Sequence, residues 1–226
     1  MKRLHLPRTL RGLSVSVFAV LVSACAGLLP KAPPPPAFYV LGGAPAPAPA
    51  SAAAPATMPR ALSERPTLIV NPPHAAAGFD SAHMLYMRKP HQLEAFTQSQ
   101  WVDTPARMLA PMMVAALQRS PAWRAVLATP SASPGELRLD SEIVRLQQDF
   151  TVAPSRVRLT VRVTLVDSAT RRVLAWREFD ESAVAPGEDA YGGVVAAHAA
   201  VHALLVSLVA WSDDAAGRWQ PPPPRP

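Results

Sequence analysis

The chain has 226 residues, a length that suits one domain with additional flexible segments. Residues 1–24 hold four of the 22 Lys and Arg and none of the 16 Asp and Glu, so the formal net charge of +6 falls to +2 beyond them, with 18 basic against 16 acidic residues. This balance argues against a nucleic-acid-binding surface, and the single cysteine excludes an internal disulfide.

The N-terminus has the pattern of a secretory signal. Basic residues are followed by an apolar stretch at 13–22, and then by Val22, Ser23, Ala24 and Cys25, an order that resembles the bacterial lipobox. We therefore predict a signal peptide over 1–24, cleavage between Ala24 and Cys25, and a covalent diacylglycerol and palmitoyl lipid on Cys25, with no other cofactor. An ordinary signal that ends near a cysteine, or an uncleaved anchor helix, is the alternative. Ala26 in place of Asp favours the outer membrane.

Proline distribution divides the mature chain. Residues 25–37 form a Pro-rich tether that can reach about 35–40 Å. A domain spans 38–219 and contains a low-complexity Ala/Pro insert at 44–59, which cannot bury a core. The Pro-rich tail at 220–226 is predicted to be disordered.

Strand patterns form two groups in the domain, one before each predicted helix. An edge strand is predicted at 38–41 and a further strand at 67–70, and residues 82–88 and 92–97 are predicted to form a hairpin. Three longer strands follow at 137–150, 157–165 and 173–181. The middle one alternates apolar and polar residues most regularly, which predicts a meander with one buried and one solvated face.

Two helices are predicted. The first is capped at Asp103 or Thr104 and ends near residue 120. The second runs over 189–211 and is long and apolar enough to span a membrane, but His198 and His202 in its middle argue for a core helix instead. The predicted fold is α+β: a single domain with a mixed, largely antiparallel sheet covered on one face by two helices.

No motif for catalysis is found, so no catalytic residue is predicted. His198 and His202 have a metal-ligand spacing, but no third ligand accompanies them, and a structural pair is the preferred interpretation; no metal is predicted.

Two groups of residues are candidates for partner binding. Arg158 and Arg162 share one strand face, which Arg138 or Arg145 could extend toward lipid headgroups or an acidic partner. The preferred alternative is a solvated face on which these arginines pair with Asp140 and Glu142. The second group contains aromatic residues that either bind a partner or fill the core: Tyr86, Phe96 and Trp101.

Four segments, in order along the chain, carry a family resemblance. They are the FYVLG run at 38–42, the MLYMR run at 84–88 leading to Trp101 and the PARMLAP run at 105–111, the LQQDF run at 146–150, and the AYGGVVAA run at 190–197. Together they resemble the ABC-type transport auxiliary lipoproteins.

The resemblance implies a non-enzymatic lipoprotein on the periplasmic face of the outer membrane, in an envelope lipid transport system. Its implied partners are a periplasmic MCE-domain protein and, through that protein, an ABC permease and ATPase; a ring-like homo-oligomer is compatible with the analogy. The Ala/Pro insert at 44–59 departs from the family pattern. A structural or assembly lipoprotein of the outer membrane and a secreted lipoprotein hydrolase are the alternatives.

Overall fold

A computed structural model describes residues 34–42 and 64–221 of the chain. The predicted signal peptide, Cys25, the insert at 44–59 and the last five residues of the tail lie outside these ranges. Eleven elements are found in the described part: β1 (Ala37–Tyr39), β2 (Thr67–Val70), β3 (His74–Ala75), β4 (His83–Lys89), β5 (Gln92–Trp101), α1 (Pro105–Gln118), β6 (Ala125–Ala128), β7 (Leu137–Asp149), β8 (Arg156–Asp167), β9 (Val173–Val184) and α2 (Ala190–Arg218).

The nine strands form one mixed sheet with β7 in its middle. One edge of β7 pairs with the antiparallel β8 along its whole length, and β8 pairs in turn with β9. The other edge of β7 pairs with three parallel strands in succession, β2, β3 and β4. Beyond this second edge the sheet continues in two branches. β2 and β6 extend it from the start of β7, and β4, β5 and β1 extend it from the end of β7.

The β8 strand separates a buried face from a polar face. Five of its apolar side chains are at most 3% exposed: Val157, Leu159, Val161, Val163 and Leu165. The intervening Arg158 and Arg162 point to the opposite face, where they form ion pairs. The alternation predicted from the sequence is thus the alternation of the folded strand.

A one-residue bulge changes which side chains of β7 face the core. Ile143 lies opposite Val161, but Arg145 lies opposite Thr160, so Val144 has no partner in the register. Before the bulge the odd-numbered Ile143 faces the core, and after it the even-numbered Leu146 does so.

Both helices lie on the buried face of the sheet. α1 packs near β6 and β3, and α2 lies over β8 and β9. Thr104 caps α1, since its side chain accepts a hydrogen bond from the Arg107 amide, as the sequence predicted. Asp189 caps α2 by accepting from the Gly192 amide at 2.7 Å. The predicted fold class, a largely antiparallel mixed sheet with two helices on one face, is confirmed.

α2 continues to Arg218, beyond the predicted end at residue 211. Among the described residues it is the helix with the length and hydropathy of a membrane span, but half of its most apolar window is buried inside the fold. Leu204 and Leu208 are fully buried against the sheet. We conclude that α2 serves as a core helix.

The start of α2 requires glycine for a steric reason. A Cβ atom on Gly192 would lie 2.1 Å from the carbonyl oxygen of Gly187, and one on Gly193 would lie 2.3 Å from Oε1 of Gln148. The glycine pair therefore allows the first turn of the helix to pack directly on the preceding loop and on β7.

Candidate functional site

An aromatic cluster lies at one end of the sheet, on the same face as the helices. It consists of Tyr86 on β4, Phe96 on β5 and Phe150, which follows β7. The Tyr86 ring centroid is 4.5 Å from that of Phe96 and 5.7 Å from that of Phe150. All three rings are partly exposed, so the cluster offers apolar surface to a partner.

Two kinds of strand pairing bring the cluster together. The antiparallel β4–β5 hairpin places Tyr86 near Phe96, as the sequence predicted for this hairpin. The parallel pairing of β4 with β7, in which Tyr86 lies opposite Gln148, brings in Phe150. Sequence reasoning missed Phe150 because no local pattern indicated that parallel contact.

A polar rim orients the tyrosine. The Tyr86 hydroxyl donates a 3.0 Å hydrogen bond to Oε2 of Glu94, which also forms an ion pair with Arg88. The Arg88 guanidinium lies 5.3 Å from the Tyr86 ring centroid, in cation–π range. Hydrogen bonding from Arg88 holds the pKa of Glu94 below its ordinary value, whereas burial, with help from the Glu94 hydrogen bond, raises the pKa of Tyr86. At neutral pH the hydrogen bond to Glu94 and the contact with Arg88 therefore hold the Tyr86 ring in one orientation.

Trp101, the third predicted aromatic residue, is separated from this surface. It is only 5% exposed and packs in the core. This is the core-filling alternative that the sequence left open, and only Tyr86 and Phe96 of the predicted group reach the surface.

A cavity of about 20 Å³ lies below the cluster, lined by residues that include Phe96, Trp101 and Gln148. Gln148 is buried; its amide nitrogen donates to Ser155 Oγ at 3.0 Å, and its Oε1 has no hydrogen-bond partner. The volume corresponds to about one water molecule. The cavity is too small for an acyl chain or another organic ligand.

The arginine row lies on the opposite face of the sheet. Arg162 pairs with Glu142 at 3.1 Å and with Glu178 at 2.9 Å, bridging β7 and β9. Arg158 pairs with Asp180 at 3.0 Å.

The other predicted members of the row are paired as well. Arg145 contacts Asp180 at 3.2 Å, and Arg138 pairs with Asp140 at 2.9 Å. A hydrogen bond from the Thr160 hydroxyl, more than the neighbouring arginines, lowers the pKa of Asp180 and keeps it ionised. Because each of these arginines already has a carboxylate partner, the row offers little uncompensated positive charge to an acidic ligand.

The two histidines of α2 do not converge on a ligand. His198 Nε2 lies 2.9 Å from the carbonyl oxygen of Val40, and His202 is exposed. Within residues 34–42 and 64–221, no group of three or more His, Cys, Asp or Glu side chains is placed to hold a metal ion.

A second, larger concavity of about 380 Å³ lies between α1 and the ends of β2 and β6. Its lining is mostly apolar and includes Val70, Pro111 and Val114.

The lipobox residues Val22, Ser23, Ala24 and Cys25 lie outside the described residues, so lipidation and cleavage stay predictions.

Comparison with known families and structures gives one family match. The family described as "ABC-type transport auxiliary lipoprotein component" matches residues 49–210. The search of curated proteins gave no match.

Solved structures share the fold. Protein XCC0632 from Xanthomonas campestris is 21% identical, with a TM-score of 0.64 over 68% of this chain and 87% of its own. An uncharacterized protein is 12% identical, with a TM-score of 0.59 over 79% of this chain and 99% of its own. At these identities the similarity establishes the fold alone.

Proposed function

Because the chain belongs to the family of ABC-type transport auxiliary lipoprotein components, we propose that it is a lipid-anchored, non-catalytic docking component of an envelope lipid transport system. The match over residues 49–210 carries this proposal, since it includes strands β2 to β9, the whole of α1 and the larger part of α2. The partner is an MCE-domain periplasmic protein and, through it, an ABC permease and ATPase. The location is the periplasmic face of the outer membrane.

The mechanism is positional. Acyl chains on Cys25 hold the protein at the membrane, and multiple chains anchor far more firmly than one. The tether then limits how far the domain can move from the bilayer. The domain supplies a rigid surface to the transporter, and no step of covalent chemistry is required of it.

The aromatic cluster is the docking surface that we favour over the arginine row. Tyr86, Phe96 and Phe150 present apolar rings beside a fixed ion pair, a combination typical of interface hot spots. The arginines Arg158 and Arg162 are already neutralised by Glu142, Glu178 and Asp180. A partner at that face would have to displace existing ion pairs.

Lipidation is tested by Cys25→Ser. We expect an unprocessed precursor that takes up no labelled palmitate, because the substitution removes the acylated thiol. Normal palmitate labelling of the variant would contradict the proposal.

Docking is tested by affinity purification from a detergent extract. The unaltered lipoprotein should recover the MCE protein and the permease, and Tyr86→Ser should reduce that recovery at least tenfold. Trp176→Ser is the matched control, because Trp176 is 66% exposed on β9, at the other edge of the sheet. Equal recovery with both variants, or recovery of no transport component by the unaltered protein, would contradict the proposal; a melting curve confirms that Tyr86→Ser is folded.

A further inference from the structure

The outer edge of β9 has no partner strand in the described part of the chain. Of the described strands, only β8 pairs with the twelve residues of β9, and the backbone groups on the other edge bond to no described residue. Such an edge can pair with a strand of another chain unless proline, lysine or a bulge blocks it. β9 contains neither proline nor lysine, and its register is regular from Ala175 onward.

Two charged side chains of β9 have no ion-pair partner among residues 34–42 and 64–221. The Arg177 guanidinium lies 5.0 Å from the ring centroid of Phe179, and Glu181 accepts a 3.2 Å hydrogen bond from Ser207 on α2. Both side chains therefore lie on the face of the sheet that carries the helices. They are four positions apart on one strand, or about 13 Å, and so cannot pair with each other.

A second copy of the same chain carries the matching charges. An antiparallel pair of β9 strands with its two-fold axis at Phe179 places Arg177 of each copy directly opposite Glu181 of the other. Opposite charges in this position stabilise a strand pair. The same axis places Ala175 opposite Ala183 of the second copy, so small side chains meet beside the two ion pairs.

The neighbouring axes are less favourable. An axis at Glu178 or at Asp180 would place two identical carboxylates opposite each other and would leave Arg177 and Glu181 without a directly opposite charge. The axis at Phe179 places Glu178 opposite Asp180 of the second copy. These two carboxylates are already bound by arginines of β8, at 2.9 Å and 3.0 Å, so their mutual repulsion is compensated.

The position of the helices is compatible with this pairing. α2 lies over β8 and β9, so a sheet continued through two β9 strands would hold the two α2 helices about 10 Å apart, a spacing at which helices pack. Ser207, which donates to Glu181, marks the flank of α2 on the β9 side. Ala203 and Ala210 share this flank, because they lie one turn before and one turn after Ser207. Their small side chains allow a close approach.

We propose that two copies of the chain associate through their β9 edges and form a two-fold dimer with one continuous sheet. This inference goes beyond the proposed docking function, since it depends on neither the lipid anchor nor the transporter. A two-fold interface closes on itself, so it differs from the head-to-tail contact that a ring-like homo-oligomer requires. Its ion pairs at a solvated edge predict that salt weakens the dimer.

The test reverses the two charges in the mature lipoprotein and measures association by sedimentation equilibrium in density-matched detergent. Arg177→Glu should weaken dimerisation about tenfold, because it turns both symmetric ion pairs into repulsions, and Glu181→Arg should do the same. An equimolar mixture of the two variants should recover the dimer, because every glutamate at these positions then faces an arginine. Arg119→Glu, at an exposed position after α1, is the control for net charge and should leave dimerisation unchanged.

A cysteine pair tests the register independently. In the double variant Ala175→Cys and Ala183→Cys, each new thiol faces the other in the second copy, so oxidation should give a disulfide-linked dimer. Within one chain the two positions are about 26 Å apart, too far for a disulfide. Either single variant should remain unlinked, and the unaltered chain, with Cys25 alone, is the baseline.

Three results would overturn the proposal. The first is an unaltered protein that is monomeric. The second is a mixture of the charge variants that stays as dissociated as each variant alone, although both melt like the unaltered protein. The third is equal cross-linking by the single and double cysteine variants. An oligomer that persists equally in both charge variants would identify another self-association surface and overturn it as well.

Discussion

The two edges of β7 are paired in different ways. Along one edge, β8 and β9 continue the sheet as long antiparallel strands joined by a tight turn, and α2 lies over them. Along the other edge, three short parallel strands take successive parts of β7, and α1 covers that side. The first half is held by pairings between neighbours in sequence, and the second, apart from the β4–β5 hairpin, by contacts between distant segments. We therefore expect the first half to be the more cooperative and the more resistant to local opening.

The largest loss is expected from Leu159→Ala in β8. Leu159 is fully buried beneath α2, so its truncation leaves a cavity and should lower the free energy of unfolding by about 2–5 kcal/mol. Denaturant unfolding measures this loss. Arg162→Ala on the opposite face is the control and should cost less than about 1 kcal/mol; similar losses for both would show that the two faces are not distinct.

Leu68→Ala applies the same truncation to β2 in the other half, where Leu68 is also fully buried. Hydrogen exchange is expected to rise first in β2 and β6, while β8 and β9 stay protected. Uniform acceleration across the sheet would contradict the difference between the halves.

Gly192→Ala should destabilise the α2 side by about 1–3 kcal/mol, because the new methyl group would overlap the Gly187 carbonyl oxygen. Gly217→Ala is the matched control near the other end of the same helix, where a Cβ meets nothing within 4 Å. That variant should be neutral or more stable by up to about 1 kcal/mol, since alanine favours helix. Thermal melts compare the two, and equal effects would refute the steric explanation.

Asp167→Asn tests the connection between the β8–β9 turn and the end of α2. Asp167 accepts hydrogen bonds from Trp219 Nε1 and from the Thr170 amide, each at 2.8 Å. Burial alone would raise its pKa, but these bonds outweigh burial and lower it.

A carboxyl group whose pKa is lowered in the folded state contributes stability at pH values above its unfolded-state pKa, which is near 4. That stability is lost as the pH falls through the folded-state pKa. The variant should therefore be about 1–2 kcal/mol less stable at pH 7, and the difference should shrink below pH 4. A constant difference from pH 7 to pH 2 would contradict this assignment.

The smallest effect, and the opposite sign, is expected for Asp213→Asn, where the two halves meet. Asp213 on α2 accepts a 2.6 Å hydrogen bond from Ser120 Oγ, just after α1. Burial raises the pKa of Asp213, and the Ser120 hydrogen bond offsets this only in part. The charged form is therefore disfavoured in the folded state, and the variant should gain less than about 1 kcal/mol at pH 7 and nothing below pH 3. A loss of stability at pH 7 would contradict the sign.

The sequence predicted the elements whose signals are local. The period-two pattern of residues 157–165 identified β8 and its polar face, and the Thr104 and Pro105 pair located the start of α1. Two strands were missed: β3 has only two residues, and β6, although as long as β2, has alanine at both ends and one β-branched residue where β2 has three.

The parallel pairings could not be predicted for a different reason. Leu68 lies opposite Leu137, and Tyr86 lies opposite Gln148, contacts that join residues more than 60 positions apart. The candidate site shows the same limit: the hairpin predicted Tyr86 and Phe96 together, but Phe150 joins them only through β4 and β7. The alternation of β8 predicted that Arg158 and Arg162 share one face. Their carboxylate partners on β9, Asp180 and Glu178, could not be predicted, because they depend on the register between β8 and β9.

Val144 is one extra residue in β7 relative to β8, and it reverses which numbered positions of β7 face the helices. Upstream of it, odd-numbered positions point toward the helices, and downstream the even-numbered ones do. Removing this one residue would restore a regular alternation, because Arg145 would follow Ile143 directly and both would keep their present partners, Thr160 and Val161, on β8. The deletion would therefore remove the local bend and added twist of the bulge, just before the segment of β7 that leads to the aromatic cluster, and leave the other side chains of β7 on their present faces.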